Sequence, residues 1–393
     1  MSGRSERRSR LELSLLVEAG DPRLVALLAR AEPADIVAAA VAGERLDGEE
    51  LPEPWLRRAD GVRERAAEVA GHARARGLRW VSPGDAGWPA PLADLDVVDP
   101  ISGATGAPLG LWVRGRGDLA TLMDASVAVV GARDATTYGC DVAQDIAGDV
   151  ADAGVTVVSG AAYGIDASAH RGALAMDAPT VAVLACGVDV DYPRANAGLL
   201  ARAAEQGAVV SEQAPGQTPT RGRFLTRNRL IAALTRGTVV VEAARRSGAL
   251  NTINWASELG RVTMGVPGPV TSQSSIGVHQ SLRSGQSILV TSGAEVLEAV
   301  SGIGEVDATL AWAPSTLLDE LPHAARAVLE AVSAQSAEGT DVVAARIACD
   351  PAAVQEVLAH LCDQGWVERS DGGWRLRRRA DLSPGQSGRT VTR

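Results

Sequence analysis

Between residues 126 and 268 short aliphatic runs recur, separated by segments long enough for a helix. They are SVAVVG (126–131), VTVVSG (155–160), TVAVLAC (180–186), AVVSE (208–212), TVVVEA (238–243) and RVTMGVPG (261–268). Each is continuous instead of alternating apolar with polar, so each predicts a strand covered on both faces. Such strands alternating with helices make a doubly wound, mostly parallel α/β sheet of the extended Rossmann-like kind, placed at residues 116–300. Upstream, Leu13, Leu16 and Val17, then Leu24, Leu27 and Leu28, repeat at helical spacing, which predicts a small helical N-terminal domain over 1–80. The Pro- and Gly-rich passage 81–115 reads as an extended connector. Residues 301–316 read as a linker. Over 317–380, three amphipathic segments and two short strands around Asp371-Gly372-Gly373 predict a winged-helix-like domain. Residues 381–393 read as a disordered tail.

Ligands of doubly wound sheets bind beyond the carboxyl ends of the strands. The chemistry is therefore expected in GAR (131–133), SGAAYG (159–164), CGVDVDYP (186–193), SEQ (211–213) and EAARRSG (242–248).

Composition narrows what that chemistry is. The chain has 393 residues, 46% of them hydrophobic and 22% charged, and no apolar run near the roughly 20 residues of a membrane span. Without a signal-like segment it reads as cytoplasmic, with no membrane partner. Its four cysteines lie far apart and without metal-ligand spacing, so neither disulfides nor a metal site is expected. All 38 basic residues are arginine, which excludes a lysine phosphate loop, a Schiff-base lysine and an S-x-x-K nucleophile. The net charge is −10, yet residues 219–246 hold Arg221, Arg223, Arg227, Arg229, Arg236, Arg245 and Arg246 against Glu242 alone. A positive patch on an acidic body is the footprint of a polyanion site.

The motifs divide on that basis. VVGARDATTYG lacks the second glycine of a dinucleotide fingerprint, so no NAD is expected. Arg133, after Gly131, is placed to grip a phosphate or is simply a surface arginine. Gly160 and Gly164 bracket a turn whose free amides suit an anion. Asp166 and His170, four apart on a helix, could be an acid/base pair, but no nucleophile accompanies them and a structural role is the better reading. Asp189 and Asp191 read as loop architecture. In TRGRFLTRNRLIAAL, Arg227, Asn228 and Arg229 crowd a helix start, where cations oppose the helix dipole unless an anion is near. Phe224, the single phenylalanine of the chain, is then either a base-stacking platform or a hydrophobic staple. Ser247 and Gly248 open another helix, as an anion site, a cap, or both.

Taken in order, GAR…YG, SGAAYGIDASAHRGAL, VAVLACGVDVDYP, GAVVSEQAPG, FLTRNRLIAAL, VVVEAARRSGALNT, ASELGR and VPGPVTSQSSIGVHQSLRSGQ resemble the DNA-processing protein A (DprA/Smf) family over about residues 88–297. The resemblance implies a homodimer that binds single-stranded DNA, protects incoming strands in natural transformation and delivers them to the RecA recombinase, with no catalysis and no cofactor. Carried over by motif, it implies a DNA pocket of Arg133, Ser211, Arg221 or Arg223, Phe224 and Arg227 to Arg229, to which the loop positions Gly131, Gly160, Tyr163, Ser247 and Gly248 are added as expected DNA-binding residues. The chain departs from the family pattern at Tyr163, where a basic residue is usual, and at Leu225, where proline is usual. The competing expectation is a nucleotide-processing phosphoribohydrolase using Asp166 or Glu212, although the PGGxGTxxE motif of those enzymes is missing. A third, a regulator reading duplex DNA, is weakened by Glu356 and Asp363 in the candidate recognition helix.

Overall fold

The computed structural model describes residues 3–301 and 321–377, which fall into two compact units. The first opens with five helices, α1 (Gly3–Leu16), α2 (Pro22–Leu28), α3 (Pro33–Ala42), α4 (Glu53–Ala59) and α5 (Val62–Ala75). Strands β1 (Arg79–Val81) and β2 (Leu111–Arg114) follow, then α6 (Leu119–Asp124) and β3 (Ser126–Val130). The α/β alternation continues through α7 (Thr137–Asp152), β4 (Thr156–Ser159), α8 (Ile165–Ala175), β5 (Thr180–Leu184), α9 (Ala197–Gln206) and β6 (Ala208–Ser211). It ends with α10 (Arg221–Ala233), β7 (Gly237–Val240), α11 (Ala249–Glu258), β8 (Val262–Gly265), α12 (Ile276–Arg283), β9 (Ile288–Leu289) and α13 (Gly293–Val300).

The sheet has nine strands in the order β1-β2-β6-β5-β4-β3-β7-β8-β9. All neighbours from β6 to β9 pair parallel, while β2 runs antiparallel to both β1 and β6. The continuous valine runs have a direct cause. Val127 and Val129 enter one core layer with Ile146 and Val150 of α7, while Ala128 and Val130 enter another with Ile231 of α10 and Ile253 of α11. Strand order reverses between β3 and β7, which pair with Val130 opposite Val240. The chain leaving these two strands diverges and opens a crevice at their carboxyl ends.

Two differences from the sequence reading concern the first 115 residues. The N-terminal helices do not stand apart from the sheet: Leu11 of α1 and Ala66 and Ala73 of α5 share a core with Trp112, Ala182, Leu184 and Val209. The passage 81–115, expected as an extended connector, supplies an antiparallel strand and a 3-10 turn at Ala90–Val97. Its Leu111, Trp112 and Val113 are fully buried, so Trp80 and Trp112, with ring centroids 5.0 Å apart, dock the first helices onto the sheet edge.

The second unit has α14 (His323–Ala331), α15 (Thr340–Arg346) and α16 (Pro351–Asp363), then the antiparallel hairpin β10 (Val367–Ser370) and β11 (Gly373–Leu376). Val328, Val343, Leu358, Leu361 and Trp374 form its core. This unit is thus three helices followed by an antiparallel hairpin. Most of the expected 301–316 linker and all of the 381–393 tail lie outside the described residues. Among the described residues no helix is long and apolar enough to cross a membrane.

Replacing Trp112 with alanine should cost about 3–5 kcal/mol of stability, measured as a lowered urea midpoint. An unchanged midpoint would show that the helices and sheet do not share a core there.

Candidate nucleic-acid interface

The crevice is a cleft of about 1080 Å3, walled by the loops that leave β3 and β7, residues 272–274, and the first turns of α10 and α11. Glu242 holds its walls together. Its carboxylate is buried and accepts from Thr136 N (2.9 Å), Thr136 Oγ1 (2.6 Å) and Ser274 Oγ (3.2 Å). Its carbonyl accepts from Ala132 N at 2.7 Å. The lone acid of the arginine-rich stretch thus points inside and joins three loops.

Arg227 forms the floor. It is 6% exposed and lies over Gly160, where a Cβ would fall 1.4 Å from Nη1. Glycine is required there by close approach, since any side chain would displace the guanidinium. Nη1 donates to Val183 O at 3.1 Å, and Nε has no partner. Asp166, buried beside it, accepts from Ala162 N at 3.4 Å. Burial pushes the Asp166 carboxyl above its ordinary pKa, against the pull of Arg227, and burial lowers Arg227.

One turn earlier on α10, Phe224 stands half-buried at the mouth. The Arg133 guanidinium lies 4.3 Å from its ring centroid, and the Tyr192 ring lies 5.8 Å away at a 49° tilt. Tyr163, 53% exposed, edges a small recess formed with Gly160, Arg133, Tyr192 and Phe224. Arg221 and Arg246 are exposed on the cleft walls, with Gly131, Asn228, Ser247 and Gly248. Ser247 Oγ accepts from Ala249 N (3.3 Å) just before α11, whose N-cap is Gly248, and it lines the cleft. Asn228 ties α10 to α11 by donating to Gly248 O (3.2 Å) and Asn251 Oδ1 (3.3 Å).

Residues 79–301 match the family model for DNA recombination-mediator protein A. The chain belongs to the DNA-processing protein A family. A Mycobacterium tuberculosis protein provisionally named DNA processing protein DprA is 45% identical over 80% of this chain and 81% of its own. Protein Smf of Escherichia coli K12 is 35% identical over 73% and 77%. The X-ray structure of DNA processing protein A from Streptococcus pneumoniae superposes with a TM-score of 0.57 at 30% identity, covering 74% of this chain and 96% of that one.

Three residues expected in the DNA site of this family member lie elsewhere. Arg229 is 0% exposed and bonds bidentately to Glu212 (2.6 and 2.7 Å) and to Gly106 O (3.1 Å), because two positions beyond Arg227 the helix faces the interior. Ser211 is buried, its hydroxyl donating to Leu184 O (3.2 Å) and accepting from Gln213 N (3.0 Å). Between the two candidate basic positions, Arg221 lines the cleft whereas Arg223 turns to Glu18. The candidate acids and base are also committed. His170 Nδ1 pairs with Thr180 Oγ1 at 2.8 Å, far from serving as a base to Asp166, and burial, reinforced by Arg227 and Arg171, pushes its pKa down to about 3. Asp189 binds Arg76 (3.0 Å) and Gly216 N (2.8 Å), and Asp191 binds Arg114 (3.1 Å). Among the described residues no group of three or more His, Cys, Asp or Glu is placed to hold a metal ion.

The sequence reading counted Arg246 in the basic patch and noted Tyr192 in its loop without placing either in the DNA site, and it gave no role to Thr136 or to residues 272–274. For Tyr192 a signal existed: the chain has one phenylalanine and three tyrosines, and Tyr163, Tyr192 and Phe224 meet in one recess.

Two stability outcomes follow from these placements. Arg229→Ala, which leaves Glu212 unpaired, should cost about 3–5 kcal/mol in a urea titration; a surface arginine would cost almost nothing. His170 is neutral when folded and protonates at about 6.5 when unfolded. Its contribution is therefore complete above pH 6.5 and lost as pH falls toward 3, at up to about 1.4 kcal/mol per pH unit. His170→Gln should flatten that part of the stability profile relative to the parent, and parallel profiles would contradict the assignment.

Proposed function

We propose that this protein binds single-stranded DNA in the cleft at the carboxyl ends of β3 and β7, with Phe224 as the base-stacking ring and Arg133, Arg221, Arg227 and Arg246 as the phosphate-facing cations. The observation that carries the reading is the Phe224 ring at the cleft mouth, flanked by Arg133 at 4.3 Å and Tyr192 at 5.8 Å. Without DNA the ring face is covered by a guanidinium. An exposed cation–π contact contributes about 0.5–1 kcal/mol, whereas a base stacked on an aromatic ring contributes about 1–3 kcal/mol. Exchange of Arg133 for a base is therefore favourable, and it frees Arg133 for the backbone.

Most contacts in this arrangement go to phosphates, which are alike along any strand, so binding has little sequence preference. Gly131, Ser247 and Gly248 bring main chain close to the ligand, Gly160 leaves room for Arg227, and Tyr163 adds an exposed ring where the family pattern usually has a basic residue. The proposed role is non-catalytic, since Asp166, His170 and Glu212 are all engaged in internal contacts, and the proposed location is cytoplasmic. Protection of incoming strands in transformation, delivery to RecA and homodimer formation belong to the same proposal, supported by family membership.

Phe224→Ala should weaken binding of a labelled oligothymidylate by about 5- to 150-fold, the equivalent of about 1–3 kcal/mol, read by fluorescence anisotropy with the thermal midpoint as a check on folding. The logarithm of the affinity should fall with the logarithm of salt at about −0.7 per phosphate neutralised, and Arg221→Gln should reduce that slope by about one such step. Wild-type affinity in a folded Phe224→Ala protein would refute the stacking role.

A further inference from the structure

Glu18, just past the carboxyl end of α1, is gripped by two guanidiniums from different parts of the fold. Arg58 of α4 donates to it from Nη2 at 3.1 Å, and Arg223 of α10 from Nη2 at 3.3 Å and from Nε at 3.4 Å. Both arginines are fixed independently of that carboxylate. Arg58 Nη1 donates to Leu16 O (3.1 Å), and Arg223 Nη1 donates to Thr218 O (2.9 Å) and Gln217 Oε1 (3.2 Å). Glu18 itself is loosely held. Its side chain is 51% exposed against 16% for Arg223, and its contacts are longer than the roughly 2.7–2.9 Å of a good charge-assisted bond.

Two prepositioned guanidiniums converging on a weakly bound carboxylate have the geometry of an oxyanion seat with an internal occupant. The seat lies in a pocket of about 890 Å3 on the other side of the first turn of α10 from the Phe224 cleft. Arg223 is the residue next to Phe224. Of the other acids lining the pocket, Glu6 pairs with Arg10 (3.0 Å), Asp21 with Arg23 (2.6 Å) and Glu212 with Arg229 (2.6 Å), whereas Asp96 accepts from Ala107 N (2.8 Å) and Glu32 adds a further carboxylate.

We propose that Arg58 and Arg223 form a second phosphate seat, and that a backbone phosphate of the bound strand displaces Glu18 from it. This rests on the reading of the Phe224 cleft as the single-strand site and extends the strand's path to the N-terminal helices. Exposed carboxylate–guanidinium pairs contribute little net stability. A phosphate offers more oxygens to two forked guanidiniums and releases condensed counterions on binding. The exchange therefore favours the strand at low salt, and Glu18 makes the N-terminal helices a brake on affinity.

The test is anisotropy of the full chain with a labelled oligothymidylate across a salt series. Glu18→Gln should bind roughly three-fold tighter, the scale of one screened surface pair. Arg58→Gln and Arg223→Gln should each lower the salt slope by about 0.7, and Arg223→Gln should cancel most of the gain from Glu18→Gln. Unchanged affinity in Glu18→Gln, or wild-type slopes in both arginine variants, overturns the seat. Glu18→Gln decides alone if an arginine variant does not fold. Loss of binding in Phe224→Ala beside wild-type behaviour of these three variants would retire only the second seat, whereas failure of the parent protein to bind the oligonucleotide would remove both readings.

Discussion

Arg227 is a charge taken almost wholly out of water at the end of a valine sheet, and the site is built around accommodating it. An unpaired buried cation costs several kcal/mol. Here the cost is reduced by the Val183 carbonyl and the neighbouring Asp166, and a glycine at 160 leaves the room the guanidinium occupies. The compensation is incomplete, since Nε has no partner. Because Phe224 precedes Arg227 by three residues on one helix, fixing the cation also fixes the ring on the same side.

The sheet's topology supplies the rest. With β3 and β7 adjacent and their following chains diverging, amides and side chains from distant parts of the sequence reach one crevice. Glu242 keeps that crevice open in a single shape by binding the residue 136 and residue 274 loops at once. The acid is a scaffold that joins the loops of a cleft lined by Arg133, Arg221, Arg227 and Arg246.

Much of this was legible in the sequence for a simple reason: strands buried on both faces must be apolar throughout, and each of the six valine-rich runs became a strand. The first 115 residues were less legible. β2 is four residues long, lies between Pro- and Gly-rich turns and pairs with β6 about a hundred positions away, so no local period announces it. The arginine patch was read as one surface, yet helix geometry divides it. Arg221 faces the cleft, Arg227 forms its floor, Arg229 points inward to Glu212, and Arg223 meets Glu18 from 205 positions earlier. Charge counting along a chain cannot separate these, because the partner acids are remote in sequence. Ser211 fails for a related reason: a serine closing a buried strand satisfies the backbone first.

The central claim is that a stacking ring in an arginine-lined cleft takes unpaired bases, and duplex DNA keeps its bases stacked on one another. The most direct measurement is competition between a single strand and its own duplex for the full-length protein at one fixed salt concentration. The account predicts that the single strand displaces the duplex and is bound at least about ten-fold more tightly, the effect of one base stack. Equal affinity, or preference for the duplex, would contradict it.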